Sequence, residues 1–198
     1  NGEIGKAELL SITSYEPAPP PVEYIKVSGG LFRDMMIHDF DMANFLMGEA
    51  PVSIAATGSA IVDPAIGAAG DVDTAVVTMT YGDGRIAVIK NSRRAVYGYD
   101  QRIEIFGSEG DVVVSNNTPH NAVYSNAKAV CSAKPHYFFL ERYQEAYIAE
   151  LHAFIDAIQQ DTPPVVTGID GRIPVVMGLA AWKSYQENRP VKVGEIEH

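Results

Sequence analysis

Basic residues are scarce in this chain. Its 198 residues hold 15 Lys and Arg against 25 Asp and Glu, a formal charge of −10. Nucleic acid is held by clustered Lys and Arg, and the densest basic spot here is Arg93-Arg94. The composition therefore argues against nucleic acid and against anionic membrane surfaces as partners. Cysteine is scarcer still. Cys131 stands alone, which excludes a disulfide within the chain and fits a reducing cytoplasm, the expected compartment. No apolar run approaches the ~20 residues of a membrane-spanning helix.

Several chemistry-bearing motifs are missing as well. No Gly-x-Gly-x-x-Gly turn joins a strand to a helix, and no Gly-Lys-Ser/Thr loop occurs, so the chain has no recognisable cradle for a nucleotide phosphate. The glycine pairs Gly82/Gly84 and Gly107/Gly110 sit between strand-like runs, where they serve as turn residues. Cys-x-x-Cys, His-Glu-x-x-His and Gly-x-Ser-x-Gly are all absent, which removes the strongest sequence signals for zinc and for a serine nucleophile.

What is present is a globular composition, 46% hydrophobic and 20% charged, in a length suited to one large domain or two small ones. Residues 6–15 read as a strand, ended by Pro17, Pro19, Pro20 and Pro21, which impose an extended loop. Gly29-Gly30 opens a helical stretch from Leu31 to Met47, closed by Gly48. Strand-like runs follow at 52–62, 72–81, 84–92, 101–106, 111–115 and 121–125, with hairpin signals at Tyr81-Gly82-Asp83-Gly84 and Gly107-Ser108-Glu109-Gly110. Residues 138–160 return to helical period and end at Pro163-Pro164; Gly171 to Gln186 is a further helix, with Pro174 near its first turn. Val191-Lys192-Val193 is a short closing strand. This order predicts a single α+β domain over 1–198: a large, open, mainly antiparallel sheet with helices packed on one face.

The informative helix is the one after Gly29-Gly30. At ~100° per residue, Asp34, His38 and Asp41 fall on one stripe, while the other directions are mostly Phe and Met. A helix apolar nearly all round is expected to be buried. Ionisable groups on such a helix are costly unless they are paired or face a cleft. One reading makes His38 an acid–base catalyst with Asp34, at i and i+4, as its partner. A second makes Asp34 and His38 a structural pair in a core helix. A third adds Asp41 and forms a metal site able to support lyase or isomerase chemistry. Spacing alone leaves all three open. Trp182 reads as core or interface, Cys131 as a small packed residue, and His120, His136 and His152 as satisfied side chains without partners in spacing. His198, beside Glu197 at the chain end, reads as a tag remnant.

The segment Gly29-Gly30-Leu31-Phe32-Arg33-Asp34-Met35-Met36-Ile37-His38-Asp39-Phe40-Asp41 resembles the signature of the glucose–fructose oxidoreductase/inositol dehydrogenase (Gfo/Idh/MocA) family. Gly2-Glu3-Ile4-Gly5 resembles the family's domain junction. Tyr97-Gly98-Tyr99-Asp100-Gln101-Arg102 through Gly110 resembles its central hairpin, and Phe154-Ile155-Asp156-Ala157-Ile158 with Gly168-Ile169-Asp170-Gly171-Arg172 its closing helices. The Tyr-Gly-Tyr-Asp-Gln form is most similar to that of inositol 2-dehydrogenases. The resemblance implies the C-terminal substrate-binding and oligomerisation domain of an enzyme whose N-terminal Rossmann domain holds NAD or NADP. That N-terminal domain is expected to be missing from this chain, in keeping with a start at Asn1, so no cofactor-binding residue is expected here and the piece alone is expected to be inactive. Carried over by motif, His38 would take the hydroxyl proton, while Asp34 would orient His38 and touch a neighbouring hydroxyl. Tyr97 would lie near the substrate, an inositol or related sugar. Arg94 and Tyr99 are weaker candidates. A homo-oligomer through the exposed sheet face is expected, and assembly without catalysis is the alternative role. Many relatives carry Arg-Asp-Pro near the end of the first strand; here Ser14-Tyr15-Glu16-Pro17-Ala18-Pro19 stands instead, which leaves the polyol open.

Overall fold

A computed structural model describes residues 2–196. Asn1 and His198, which entered the reading of the chain ends, lie outside the described residues. Strand β1 (Ala7–Tyr15) is central to a seven-stranded sheet, with β4 (Ile86–Ser92) on one side and β5 (Asp100–Gly107) on the other. β6 (Gly110–Val114) extends the β5 edge. β3 (Thr74–Thr80), β2 (Ser53–Ser59) and β9 (Val191–Lys192) follow β4 in that order. All ladders are antiparallel except β1 with β4. The expected α+β sheet with helices on one face is what the chain forms.

Period-2 alternation explains which face is covered. Leu10 and Ile12 on β1, Ala75, Val77 and Met79 on β3, and Ala87 and Ile89 on β4 are all buried. Against them pack α3 (Met36–Met47) and α7 (Gly168–Glu187), through Phe40, Ala43, Met177, Ala180 and Ala181. Trp182 joins this layer as expected, half-buried against Phe32 and Tyr185.

Five features differ from the sequence reading. The helix expected from Leu31 to Met47 is two pieces, α2 (Leu31–Asp34) and α3, with Met35 between them at φ −104°, ψ −54°, a distorted but still right-handed helical conformation. The proline loop leads into an unforeseen helix, α1 (Val22–Ser28), ended by Gly29 in the left-handed region. Another short helix, α4 (Pro64–Ala68), starts where the Asp63 side chain accepts from the Ala65 N–H with Pro64 at the first position. α7 begins at Gly168 rather than Gly171 because Thr167 and Asp170 form a capping box. The stretch 138–160 divides at Tyr143 into α5 (Phe139–Arg142) and α6 (Gln144–Gln159).

The strand expected at 121–125 forms β7 (Val123–Ser125), which pairs only with β8 (Val130–Ser132). That ribbon stands apart from the main sheet, so Cys131 is exposed, not packed as its residue type had suggested. Among the described residues, no helix is long and apolar enough to cross a membrane.

Candidate functional site

The inward rows of β5, β1 and β4 change character along their length. Each begins apolar and turns polar toward one end of the sheet. β1 runs Leu10, Ile12, Ser14, Glu16; β4 runs Ala87, Ile89, Asn91, Arg93; β5 returns as Ile105, Ile103, Gln101. Register sets Ser14 beside Asn91 on one neighbour and Gln101 on the other. A cleft of about 1340 Å³ opens over these polar ends. Its walls are α2 and the start of α3, the strap Glu16–Tyr24, and the segment around Phe138 to Tyr147.

Asp34 and His38 both line this cleft. They do not pair with each other. Although they stand four residues apart, the carboxylate has other partners. Tyr24 donates its hydroxyl to Asp34 Oδ1 at 2.5 Å, and Arg93 Nη2 donates to Oδ2 at 2.7 Å. Among the described residues no side chain hydrogen-bonds to the His38 imidazole, which lies exposed on the cleft wall beside Asp41 and Met42. The helix is thus buried on one side only; His38, Asp41, Met42 and Phe45 make an exposed face. This corrects the expectation of a helix buried all round. Among the described residues, no three His, Cys, Asp or Glu side chains are grouped so as to hold a metal ion, so the stripe of Asp34, His38 and Asp41 does not form the ligand set considered for it.

Arg93, one of two arginines that line the cleft, is fully buried. Nη1 donates to Glu16 Oε2 at 3.0 Å while Nη2 holds Asp34; Nε is buried without a partner among the described atoms. Burial pushes the Glu16 carboxyl above its ordinary range, against the opposing pull of Arg93. The Tyr24 hydroxyl is raised chiefly because it donates to Asp34. The backbone ahead of Asp34 is also fixed. Both Asp71 oxygens accept from the Leu31 N–H at 3.1 Å, and Gly30 sits at φ +83°, where a Cβ would approach Asp71 Oδ1 to 2.8 Å. The second glycine of the Gly-Gly pair is therefore required by both conformation and space.

Asp39, next in sequence to His38, points the opposite way into the sheet. It is buried, accepts from Ser14 Oγ at 2.5 Å and from Asn91 Nδ2 at 2.7 Å, and burial raises its carboxyl to about 6. Tyr99 also lines the cleft, edge-on to Tyr143 with ring centres 6.2 Å apart. Tyr97 does not line it. Its hydroxyl is spent on the buried Asp100, which also accepts from Arg102 and Asn116. Arg94 is exposed and reaches only the Val62 carbonyl. Of the two aromatics around Gly98, the structure thus brings Tyr99 to the site. Sequence reasoning passed over Arg93, Glu16, Ser14, Gln101 and Asp39. A usable signal existed for three of them, since Glu16, Ser14 and Arg93 continue the inward period of their strands.

The family profile described as the GFO/IDH/MocA C-terminal domain matches residues 1–113. The chain belongs to the GFO/IDH/MocA family. Among curated GFO/IDH/MocA relatives, a myo-inositol 2-dehydrogenase of Thermotoga maritima is 51% identical over 99% of the chain and 59% of the relative. A crystal structure of a probable dehydrogenase from the same organism superposes with a TM-score of 0.96 at 51% identity, covering 99% of this chain and 59% of that one. A scyllo-inositol dehydrogenase from Lactobacillus casei, solved with bound NAD(H) and scyllo-inositol, gives 0.89 at 27% identity, covering 98% of this chain and 58% of that one. The chain therefore spans about three fifths of the length of these GFO/IDH/MocA relatives.

Proposed function

We propose that this chain is the substrate-binding and catalytic half of an NAD(P)-dependent dehydrogenase that oxidises a ring hydroxyl of inositol or a related sugar. The observation that carries the reading is that Asp34 and His38 of the Gly-Gly-x-x-x-Asp-x-x-x-His segment line one cleft, in a chain that matches an inositol dehydrogenase along nearly its whole length. A polyol is all hydroxyls, each both donor and acceptor, and the cleft offers carboxylate, imidazole, phenol and amide groups in reach of one another.

The chain's own residues do not fit a dinucleotide. Its glycine turns at Gly84 and at Gly107 to Gly110 close β-hairpins, whereas a pyrophosphate is cradled where a strand turns into a helix. The dinucleotide, as hydride acceptor, would be held by a part of the protein outside these residues. What this chain supplies is binding, orientation and a proton acceptor. Asp34, pinned by Arg93 and Tyr24, accepts from a ring hydroxyl and sets the ring. His38 takes the proton of the reacting hydroxyl. Orientation of His38 by Asp34, expected from spacing, drops out because Asp34 is engaged elsewhere.

The test joins this chain to the dinucleotide-binding domain of a family member and follows NADH formation with inositols. Reduction that depends on an inositol supports the reading; a joined protein that binds NAD yet reduces none with any inositol or related sugar contradicts it. For the chain by itself, calorimetry is expected to detect no NAD binding. We also infer assembly through the outer face of the sheet, where Leu9, Val76, Ile86 and Phe106 are exposed.

A further inference from the structure

One polar row crosses three strands beneath His38. Ser14 lies between Asn91 and Gln101 in register, and Asp39 of α3 reaches down to it. Ser14 Oγ is 2.5 Å from Asp39 Oδ1 and 2.7 Å from Gln101 Oε1. A serine hydroxyl has one proton to give, so it cannot donate to both. With a proton on Asp39 Oδ1, Asp39 donates to Ser14 and Ser14 donates onward to Gln101 Oε1. With Asp39 ionised, Ser14 donates to Asp39, and Gln101 must turn its amide over to donate from Nε2. Asn91 Nδ2 donates to Asp39 Oδ2 at 2.7 Å, which leaves Oδ1 as the oxygen that carries the proton.

The far end of Gln101 faces the cleft. Gln101 lines it, and Nε2 is neither hydrogen-bonded to a described side chain nor buried. We propose that Gln101 is a hydroxyl-binding residue of the cleft, and that the proton on Asp39, relayed by Ser14, decides whether it offers a donor or an acceptor. The inference rests on the polyol reading above and adds to it a residue and a switch of polarity. The first state presents NH₂ to a ring oxygen. The second presents a carbonyl that accepts a ring O–H. Burial lifts the Asp39 carboxyl to about 6, so both states lie within reach of ordinary conditions.

Other ionisable groups surround the row. The strap after β1 contributes Glu16 and α2 contributes Asp34, both engaged by Arg93; α3 itself carries His38 and Asp41. Tyr99, Arg142 and Tyr143 stand on the opposite wall, and Arg142 Nη2 donates to the Gln101 backbone carbonyl at 3.0 Å. The test must therefore separate Asp39 from the His38 imidazole.

The 198-residue chain, labelled with ¹³C and ¹⁵N, is titrated by NMR across pH 6. The Asp39 Cγ and Gln101 side-chain amide resonances are expected to move with one midpoint. In Ser14→Ala, Asp39 should still titrate while Gln101 stays flat. In Asp39→Asn, Gln101 should stay flat across the same pH range. A flat Gln101 in the unaltered chain, or a Gln101 titration that survives both substitutions, overturns the relay. Should a variant lose the amide spectrum of the folded chain, unequal midpoints in the unaltered chain overturn it equally. Myo-inositol is then added, and shifts at both His38 and Gln101 are expected. Shifts at His38 alone overturn the binding role of Gln101 and leave the dehydrogenase reading standing; shifts at neither overturn both.

Discussion

Arg93 carries no solvent-accessible surface, yet it holds two carboxylates, one of them the acidic residue of the family signature. Removing one partner of a buried ion pair costs far more than the pair contributes, because the remaining charges lose their compensation. Arg93→Met is therefore expected to lower stability by about 3–5 kcal/mol in urea unfolding, and adding Asp34→Asn should recover part of the loss. An unchanged midpoint would show that the triad is not what holds the cleft wall. Asp39 works in the other direction. Its carboxyl, ordinarily at 3.8, lies at about 6 in the folded chain, so the folded state binds the proton more tightly. Its contribution to stability is fully present below the unfolded value and is lost as pH rises through about 6, by up to about 3 kcal/mol. Asp39→Asn should flatten this fall and raise stability at alkaline pH, measured by unfolding at a series of pH values. Asp34 and His38 were legible from their motif. Arg93 was not, because an arginine beside Arg94 at a strand end reads as surface charge until its period is matched to Ala87 and Ile89. Asp39 was hidden by the same motif, since its neighbour His38 drew the attention and only the fold shows the two side chains facing opposite ways.

Among the elements, the pair α2 and α3 determines the site. Hydrophobic period predicted one helix there and could not reveal the break at Met35, just before which Phe32 and Arg33 meet α7. That meeting is close: a Cβ on Gly178 would come within 2.8 Å of the Phe32 carbonyl oxygen and 3.1 Å of the Arg33 side chain. Gly178→Ala must push α7 and α2 apart, an overpacking that typically costs about 1–3 kcal/mol. Thermal unfolding should show the loss, and the Asp34–Arg93 contact should loosen with it; a variant as stable as the parent would mean that the crossing tolerates a methyl group. The strands were far more legible than the helices. Two tight turns, at Gly82–Gly84 and Gly107–Gly110, set the hairpins β3–β4 and β5–β6. The parallel contact of β1 with β4 was not legible, because it joins segments about 75 residues apart through register alone.

As a whole, the molecule is an open sheet with one face covered, one face bare, and a helix that packs little apolar surface. α6 exposes Tyr147, Ile148, Leu151, Phe154, Ile155 and Ile158, and exposed apolar stretches of this kind mark surfaces that meet other protein. Together with the bare sheet face they lead us to expect self-association in solution. Light scattering should give a mass above the 21.4 kDa of one chain, and a single-chain mass at every concentration would contradict it. The acidic excess fits a cleft whose fully buried cation, Arg93, is already spent on two carboxylates. The central claim is that His38 takes the proton of the oxidised hydroxyl. It is tested most directly by kcat of the joined protein, this chain with a family dinucleotide-binding domain, before and after His38→Ala. The account predicts a fall in kcat of about 10²–10⁴ with inositol still bound; an unchanged kcat would contradict it.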